Sequence, residues 1–209
     1  MTVAMKLVMK ASGPTDSELV RRLVDGDKEA FAELYHRRHG SIYRFALHMT
    51  GRPEMADDVA QETFMVLMKN GAAYDEKRGS VSSFLLGVAR NQVLSRLRQE
   101  RPTAPLDEHF DEIDCGQVVR GYLTSFARQE RIDAVRKAIL SLPEHYREVV
   151  VLCELQEISY AETAHILNCA VGTVRSRLHR ARAMLADKLE PVRNENSAAE
   201  TLNSTRCFA

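Results

Sequence analysis

The 209-residue chain is 44% hydrophobic and 28% charged, has no Trp, and balances 29 Lys/Arg against 29 Asp/Glu. That leaves room for one or two globular domains with a real core, and hydrophobic repeats of 3.6 residues along most of the chain make the class all-α. No membrane span, secretory leader or disulfide framework is expected: Lys6 and Lys10 interrupt MTVAMKLVMK, which predicts a cytoplasmic protein, and Cys115, Cys153, Cys169 and Cys207 form no CxxC pair. His165 and Cys169 share a His-x3-Cys spacing with no second pair in reach, so no metal site is predicted.

Thr15 and Glu18 make a capping box ahead of Leu19, Val20, Leu23 and Val24, and Asp25 to Asp27 end that helix and cap the next. The second helix has Phe31, Leu34, Tyr35, Ile42, Phe45, Ala46 and Met49 on one stripe, weakened midway by His36 to Gly40, and Gly51 with Pro53 punctuates its end. From Pro53 to Lys69 a third helix turns Ala56, Val59, Ala60, Thr63, Phe64 and Leu67 inward. Its outer face carries Asp58, Gln61 and Glu62 at i, i+3 and i+4, two carboxylates side by side, a repulsion worth a few tenths of a kcal/mol in an isolated helix, roughly. Two readings stand at this point. A basic partner from outside removes the repulsion, or the acids complement the helix dipole and keep the surface soluble.

The loop Asn70 to Ser80 combines Tyr74 with Lys77 and Arg78, a composition suited to holding an extruded base by stacking and backbone contacts. Val81 to Gln99 reads as a long helix with Val81, Phe84, Leu85, Val88 and Ala89 inward. Its opposite face, Gly87, Arg90, Asn91, Leu94 and Arg98, has nucleic-acid-binding chemistry or is solvated surface. From Arg101 to about Arg128 the pattern breaks at Pro102 and Pro105, and LDEHFDEID carries five carboxylates within eight residues, the composition of a solvated linker. Helical pattern resumes near Ile132, runs through Val135, Ile139 and Leu142, and restarts after Pro143 with Tyr146, Val149, Val150 and Cys153.

Ser159 to Arg182 then reads as a helix-turn-helix. Ser159 and Glu162 form a Ser-x-x-Glu capping box that starts the first helix near Tyr160, Asn168 takes the left-handed turn, and the second helix starts around Val171. Val174, Leu178, Ala181 and Leu185 face the core. Gly172, Thr173, Arg175 and Ser176 occupy the N-terminal turns with which a recognition helix reads bases, while Arg177, Arg180 and Arg182 are placed to grip phosphates and His179 lies on the same flank as Arg175. From Val171 to Arg193 six Lys/Arg stand against two Asp/Glu, a local surplus of four in a neutral chain, which marks a dedicated patch over an ordinary solvated face. Beyond Pro191 the tail lacks periodicity and is expected to be disordered.

Three segments in this order, DDVAQETFMVLM at Asp57 to Met68, SFLLGVARNQVLSRLR at Ser83 to Arg98, and SLPEHYREVVVLCELQEISYAETAHILNCAVGTVRSRLHRAR at Ser141 to Arg182, resemble the extracytoplasmic-function (ECF) sigma factors. The resemblance covers about Asp16 to Leu189 and implies an N-terminal arm over 1–15, region 2 over 16–101, a flexible acidic linker over 102–130, region 4 over 131–190 and a tail over 191–209. It implies that Asp58, Gln61 and Glu62 contact the clamp helices of the largest subunit of core RNA polymerase. Tyr74, Lys77, Arg78, Arg90, Asn91 and Arg98 would engage the minus-10 element of promoter DNA. Gly172, Thr173, Arg175, Ser176, Arg177, His179 and Arg180 would read the minus-35 element, with an anti-sigma factor as a candidate further partner.

On that resemblance the chain has no catalytic residue, metal or cofactor of its own. Phe84 stands where the family often has Trp, and Ser95 where it often has Asp, which removes a salt-bridge partner near Arg96 and Arg98. Ala170 lacks the side-chain oxygen that caps a recognition helix, which loosens that end by about 1 kcal/mol. The alternative is a stand-alone helix-turn-helix regulator acting as a dimer on a palindrome, which leaves Asp58, Gln61 and Glu62 without a role. A nucleic-acid-processing enzyme needs metal-binding carboxylates or a nucleophile with its base, and neither constellation is present in the sequence.

Overall fold

A computed structural model describes residues 13–100 and 123–205, with side-chain surroundings for 13–100 and 131–190. The N-terminal arm to residue 12, the acidic LDEHFDEID stretch, Cys115 and Cys207 lie outside the described residues. The first domain is built from α1 (Asp16–Val24), α2 (Lys28–Thr50), α3 (Pro53–Asn70) and α4 (Val81–Glu100). The second comprises α5 (Leu123–Leu140), α6 (Glu144–Val150), α7 (Tyr160–Ile166) and α8 (Val171–Thr205).

Local signals set most of these ends. The Thr15 box is complete: Glu18 N–H donates to Thr15 Oγ1 at 3.2 Å and Thr15 N–H to Glu18 Oε2 at 2.7 Å. Asp27 Oδ1 accepts from Glu29 N–H at 3.0 Å and Ala30 N–H at 3.1 Å, starting α2 directly after Gly26, whose φ of +92° makes the turn. Pro53 opens α3 at a first-turn position where a missing N–H costs nothing, and Asn168, with φ of +50°, turns the chain between α7 and α8.

α2 continues unbroken through His36 to Gly40, where the sequence pattern weakens. Burial on both sides, by Leu34 and then Ile42, Phe45, Ala46 and Met49, outweighs the poor helix formers between them, and His39 packs on Tyr35 with ring centroids 4.7 Å apart. The inward stripe of α3 is the one the sequence predicts, all six positions being buried, with Phe64 against Tyr35 at 4.8 Å and edge-on to Phe31 at 6.2 Å. On α4 the buried set is broader than expected. Leu86, Val93 and Leu94 join Val81, Leu85 and Ala89, while Phe84 and Val88, expected inward, are only half-buried.

The second domain departs from the sequence reading at three places. α5 begins at Leu123, inside the stretch assigned to the linker. α6 runs into a π-helical turn, Val151–Leu155, closed by Gln156 N–H to Val151 O at 3.0 Å, a widening no periodicity argument registers. α8 continues past Pro191 to Thr205, where disorder was expected. A helix already nucleated by the packed residues Val174, Leu178 and Ala181 propagates into sequence too weak to start one, and Ala198 with Ala199 favours continuation.

The two domains are docked. α2 packs on α5, on α6 and on the π-turn, and α4 packs on α7. Ser41 Oγ donates to Gln156 Oε1 at 2.6 Å, and the half-buried Arg147 guanidinium reaches across to Met49 O at 2.7 Å while also holding Leu142 O at 3.0 Å. Replacing the core aromatic Phe64 with Ala is expected to cost about 3–5 kcal/mol in chemical denaturation, because a 2%-exposed ring with three aromatic neighbours leaves a cavity α2 and α3 cannot close.

Candidate nucleic-acid interface

α8 is a helix held by one face. Val174, Leu178 and Ala181 are buried against α6 and α7, which leaves Gly172, Arg175, Ser176, His179 and Arg180 open to solvent, with Thr173 and Arg177 half-buried. Added side-chain atoms at Gly172 would meet nothing within 4 Å, so this first turn can approach another surface closely. Ser176 Oγ donates back to Thr173 O at 3.0 Å, keeping both polar groups on the exposed edge. Arg182, expected to grip phosphate, is instead committed to Glu154 of the π-turn at 2.5 Å.

A second basic surface lies on α4. Arg90, Asn91, Ser95, Arg98 and Gln99, floored by Leu94, line a groove of about 470 Å³. Three of the residues predicted to hold a strand, Arg90, Asn91 and Arg98, are thereby brought together, while Lys77 and Arg78 stay exposed on a short 3-10 turn, Glu76–Arg78, in the preceding loop. Tyr74 is less available than the sequence suggests. Its hydroxyl lies 3.0 Å from Ser17 Oγ and donates to Gly79 O at 3.2 Å, and its ring packs on Phe84 at 5.8 Å. Its first role is to pin the loop between α1 and α4.

The acidic face of α3 has its own internal cation. Arg96 on α4 donates to Asp58 Oδ2 at 3.0 Å and to Glu62 Oε1 at 2.6 Å, so the repulsion of the two acids is already relieved inside the molecule. An outside partner is therefore not required on that ground. Gln61 is exposed, and beside it Met65 and Met68 are 52% and 59% exposed. Their spacing from Gln61, i+4 and i+7, places them on the same stripe, a signal that the inward-facing pattern alone passed over.

The chain is similar to known proteins over most of its length. The Sigma-70 region 2 family matches residues 34–103 and the Sigma-70, region 4 family matches residues 132–185. The ECF RNA polymerase sigma factor SigM of Mycobacterium tuberculosis is 37% identical over 174 residues, covering 82% of this chain and 83% of that protein. SigW of Bacillus subtilis, also an ECF RNA polymerase sigma factor, is 33% identical over 177 residues, 81% of this chain and 94% of its own. The chain belongs to the ECF sigma factors.

Among solved structures, CnrH in complex with the cytosolic domain of CnrY shares the fold at a TM-score of 0.65 and 23% identity, over 85% of this chain and 99% of that one. RpoE in complex with the anti-sigma factor NepR from Bartonella quintana does so at 0.59 and 22%, over 77% and 96%. In this ECF sigma factor α2 to α4 thus fall in region 2, and α6, α7 and the packed part of α8 in region 4.

Two region 4 carboxylates reach region 2. Glu148 on α6, 3% exposed, accepts from Arg90 Nε at 2.6 Å. Glu162 on α7 accepts through Oε1 from Ser80 Oγ and Ser83 Oγ, both at 2.6 Å, and from Ser80 N–H at 3.3 Å. The Ser159 box is consequently only half of what the sequence implies. Glu162 N–H donates to Ser159 Oγ at 3.2 Å, but the carboxylate takes the Ser159 hydroxyl at 2.9 Å and turns its other oxygen to α4.

Burial pushes the Glu162 carboxyl up, and the donors from Ser80, Ser83 and Ser159 outweigh it, lowering it from 4.5 to about 2. A depressed folded-state value contributes stability that is complete above the unfolded value of 4.5 and is lost as pH falls towards about 2. The thermal stability difference between wild type and Glu162→Gln is expected to be flat from about pH 8 to about pH 5.5 and to shrink on further acidification, as followed by circular dichroism.

Proposed function

We propose that this sigma factor directs core RNA polymerase to promoters through three separate faces, each with a distinct partner. The α3 face, Asp58, Gln61 and Glu62 extended by Met65 and Met68, docks on the clamp helices of the largest polymerase subunit. Carboxylates held by Arg96 supply directed charge, and the exposed methionines supply an apolar contact that adapts to its partner. The α4 groove with Lys77 and Arg78 takes the minus-10 strand, and Tyr74 with Phe84 supports the loop that receives an unstacked base. The α8 edge, Gly172, Thr173, Arg175, Ser176, Arg177, His179 and Arg180, enters the minus-35 major groove.

The observation that carries this reading is the α8 edge, where Gly172, Arg175, Ser176, His179 and Arg180 are open to solvent on a helix buried through Val174, Leu178 and Ala181. No catalytic step falls to this chain on this reading. The polymerase performs nucleotidyl transfer, and melting is stabilised by holding the unpaired strand, without ATP. The complexes of CnrH with CnrY and of RpoE with NepR support a protein inhibitor as a further partner, in the manner of an anti-sigma factor.

Runoff transcription with purified core polymerase on a set of genomic promoters tests the assignment. The double change Gln61→Ala with Glu62→Ala is expected to lower promoter-specific transcripts by more than about tenfold, the scale of losing a central interface anchor. Arg175→Ala is expected to weaken promoter binding by about 1–3 kcal/mol and to relax base preference at one minus-35 position, as read by competition with substituted duplexes. Transcripts that persist unchanged in both variants rule this site assignment out.

A further inference from the structure

A groove of about 730 Å³ lies where α2, α5 and the π-turn meet, and none of the residues assigned above to polymerase or promoter lines it. Its floor is apolar. Ile132 and Val135 of α5 and Leu155 of the π-turn, 37%, 41% and 38% exposed, converge there and are left open to water. Arg131, Arg136 and His48 stand around them. Asp133 offsets Arg136 at 3.1 Å, but burial, with the charges of Arg136 and Arg44, holds the His48 imidazole below its ordinary range, as in a cation-rich site. Such a groove is complementary to apolar side chains flanked by carboxylates.

The chain carries such a segment. Leu106, Phe110 and Ile113 recur at i, i+4 and i+7, one side of a helical repeat, and Asp107, Glu108, Asp111, Glu112 and Asp114 occupy positions between and after them. Both ends of the segment are tied beside the groove. α4 ends at Glu100, whose carboxylate takes Arg52 Nη2 at 2.9 Å, and Arg52 is four residues past His48. On the other side the chain enters α5 at Leu123, with Arg131 and Ile132 of the groove about two turns later. Residues 115–122 span up to roughly 27 Å and the helix from Leu123 to Ile132 rises only about 14 Å, so the chain can return along α5 to the groove.

We propose that the acidic segment 106–114 of the same chain docks in this groove, with Leu106, Phe110 and Ile113 on Ile132, Val135 and Leu155 and its carboxylates among Arg131, Arg136 and His48. Docking removes the apolar patch from water and matches the five carboxylates with cations close to where the segment is attached. The same carboxylates are thereby kept from the exposed arginines of the α8 edge. This is a property of the free chain and does not depend on the promoter contacts proposed above.

The chain has no Trp, so a single indole reports on its own position. Phe110→Trp and, separately, Leu106→Trp place one on the segment of the full chain, read by emission maximum and acrylamide quenching. Each is expected to emit at short wavelength and to be poorly quenched. Adding Val135→Glu, which puts a carboxylate on the groove floor, is expected to shift emission to the red and to raise quenching about threefold, the change when a segment docked for about two-thirds of the time is set free. Met184→Glu, at an exposed apolar position of α8 outside the groove, is the control and should leave both readings unchanged. Circular dichroism checks that each variant is folded, and Ile113→Ser, on the segment itself, should release the indole without altering the groove.

Two indoles that are fully exposed at every concentration overturn the proposal and leave the groove to an apolar helix of another protein. Protection that fades on dilution places the segment on a second copy of the chain, and protection that survives Val135→Glu places it elsewhere on its own; either result overturns docking in this groove. A release by Met184→Glu equal to that by Val135→Glu is a general effect of charge and likewise overturns it.

Discussion

A carboxylate taken out of water needs a cation and further donors, and Glu148 has its cation in another domain. With only 4% of its side chain exposed, it depends on Arg90, and Arg90 lies on the helix that region 2 uses for its basic groove. The relative placement of the domains follows from that dependence. Glu162 at the α4 N-terminus and Arg147 at the end of α2 add directed contacts on either side, so that region 4 is seated by hydrogen-bond geometry as well as by apolar area.

The same economy of charge appears elsewhere on the surface. Asp58 and Glu62 share Arg96, and Arg182 is held by Glu154. Each is partly exposed, so each pair contributes little to stability and can be exchanged for an outside partner at small cost. A chain with equal numbers of acids and bases thereby keeps part of its surface charge internally compensated. Arg175 and Arg180 on the α8 edge, like Lys77 and Arg78 in the loop before α4, are exposed to solvent.

Much of the fold is written in short-range chemistry. The Thr15 box, the Asp27 cap, Pro53 at the head of α3 and Asn168 in the turn of the helix-turn-helix act within a few residues of themselves, and each is legible without a partner. Helical stripes are nearly as legible: the six inward residues of α3 and the line Val174, Leu178 and Ala181 on α8 are buried as their spacing requires. Where the stripe is broad, as on α4, periodicity cannot say which edge of it is core: Leu94 is buried although it lies among polar residues, and Val88 is only half-buried.

The class, the order of helices, the helix-turn-helix and the exposure of one edge of α8 could be read from the sequence, because these depend on contacts between neighbours and on a repeat the side chains themselves declare. Only the tertiary structure decided which charges are engaged. Arg96 with Asp58 and Glu62, Arg90 with Glu148, and Glu162 with Ser80 and Ser83 join residues separated by 34 to 82 positions. No local rule pairs charges so far apart. Their proximity is set by how α3, α4, α6 and α7 pack, and the length of α8 likewise depends on a nucleus that packing provides.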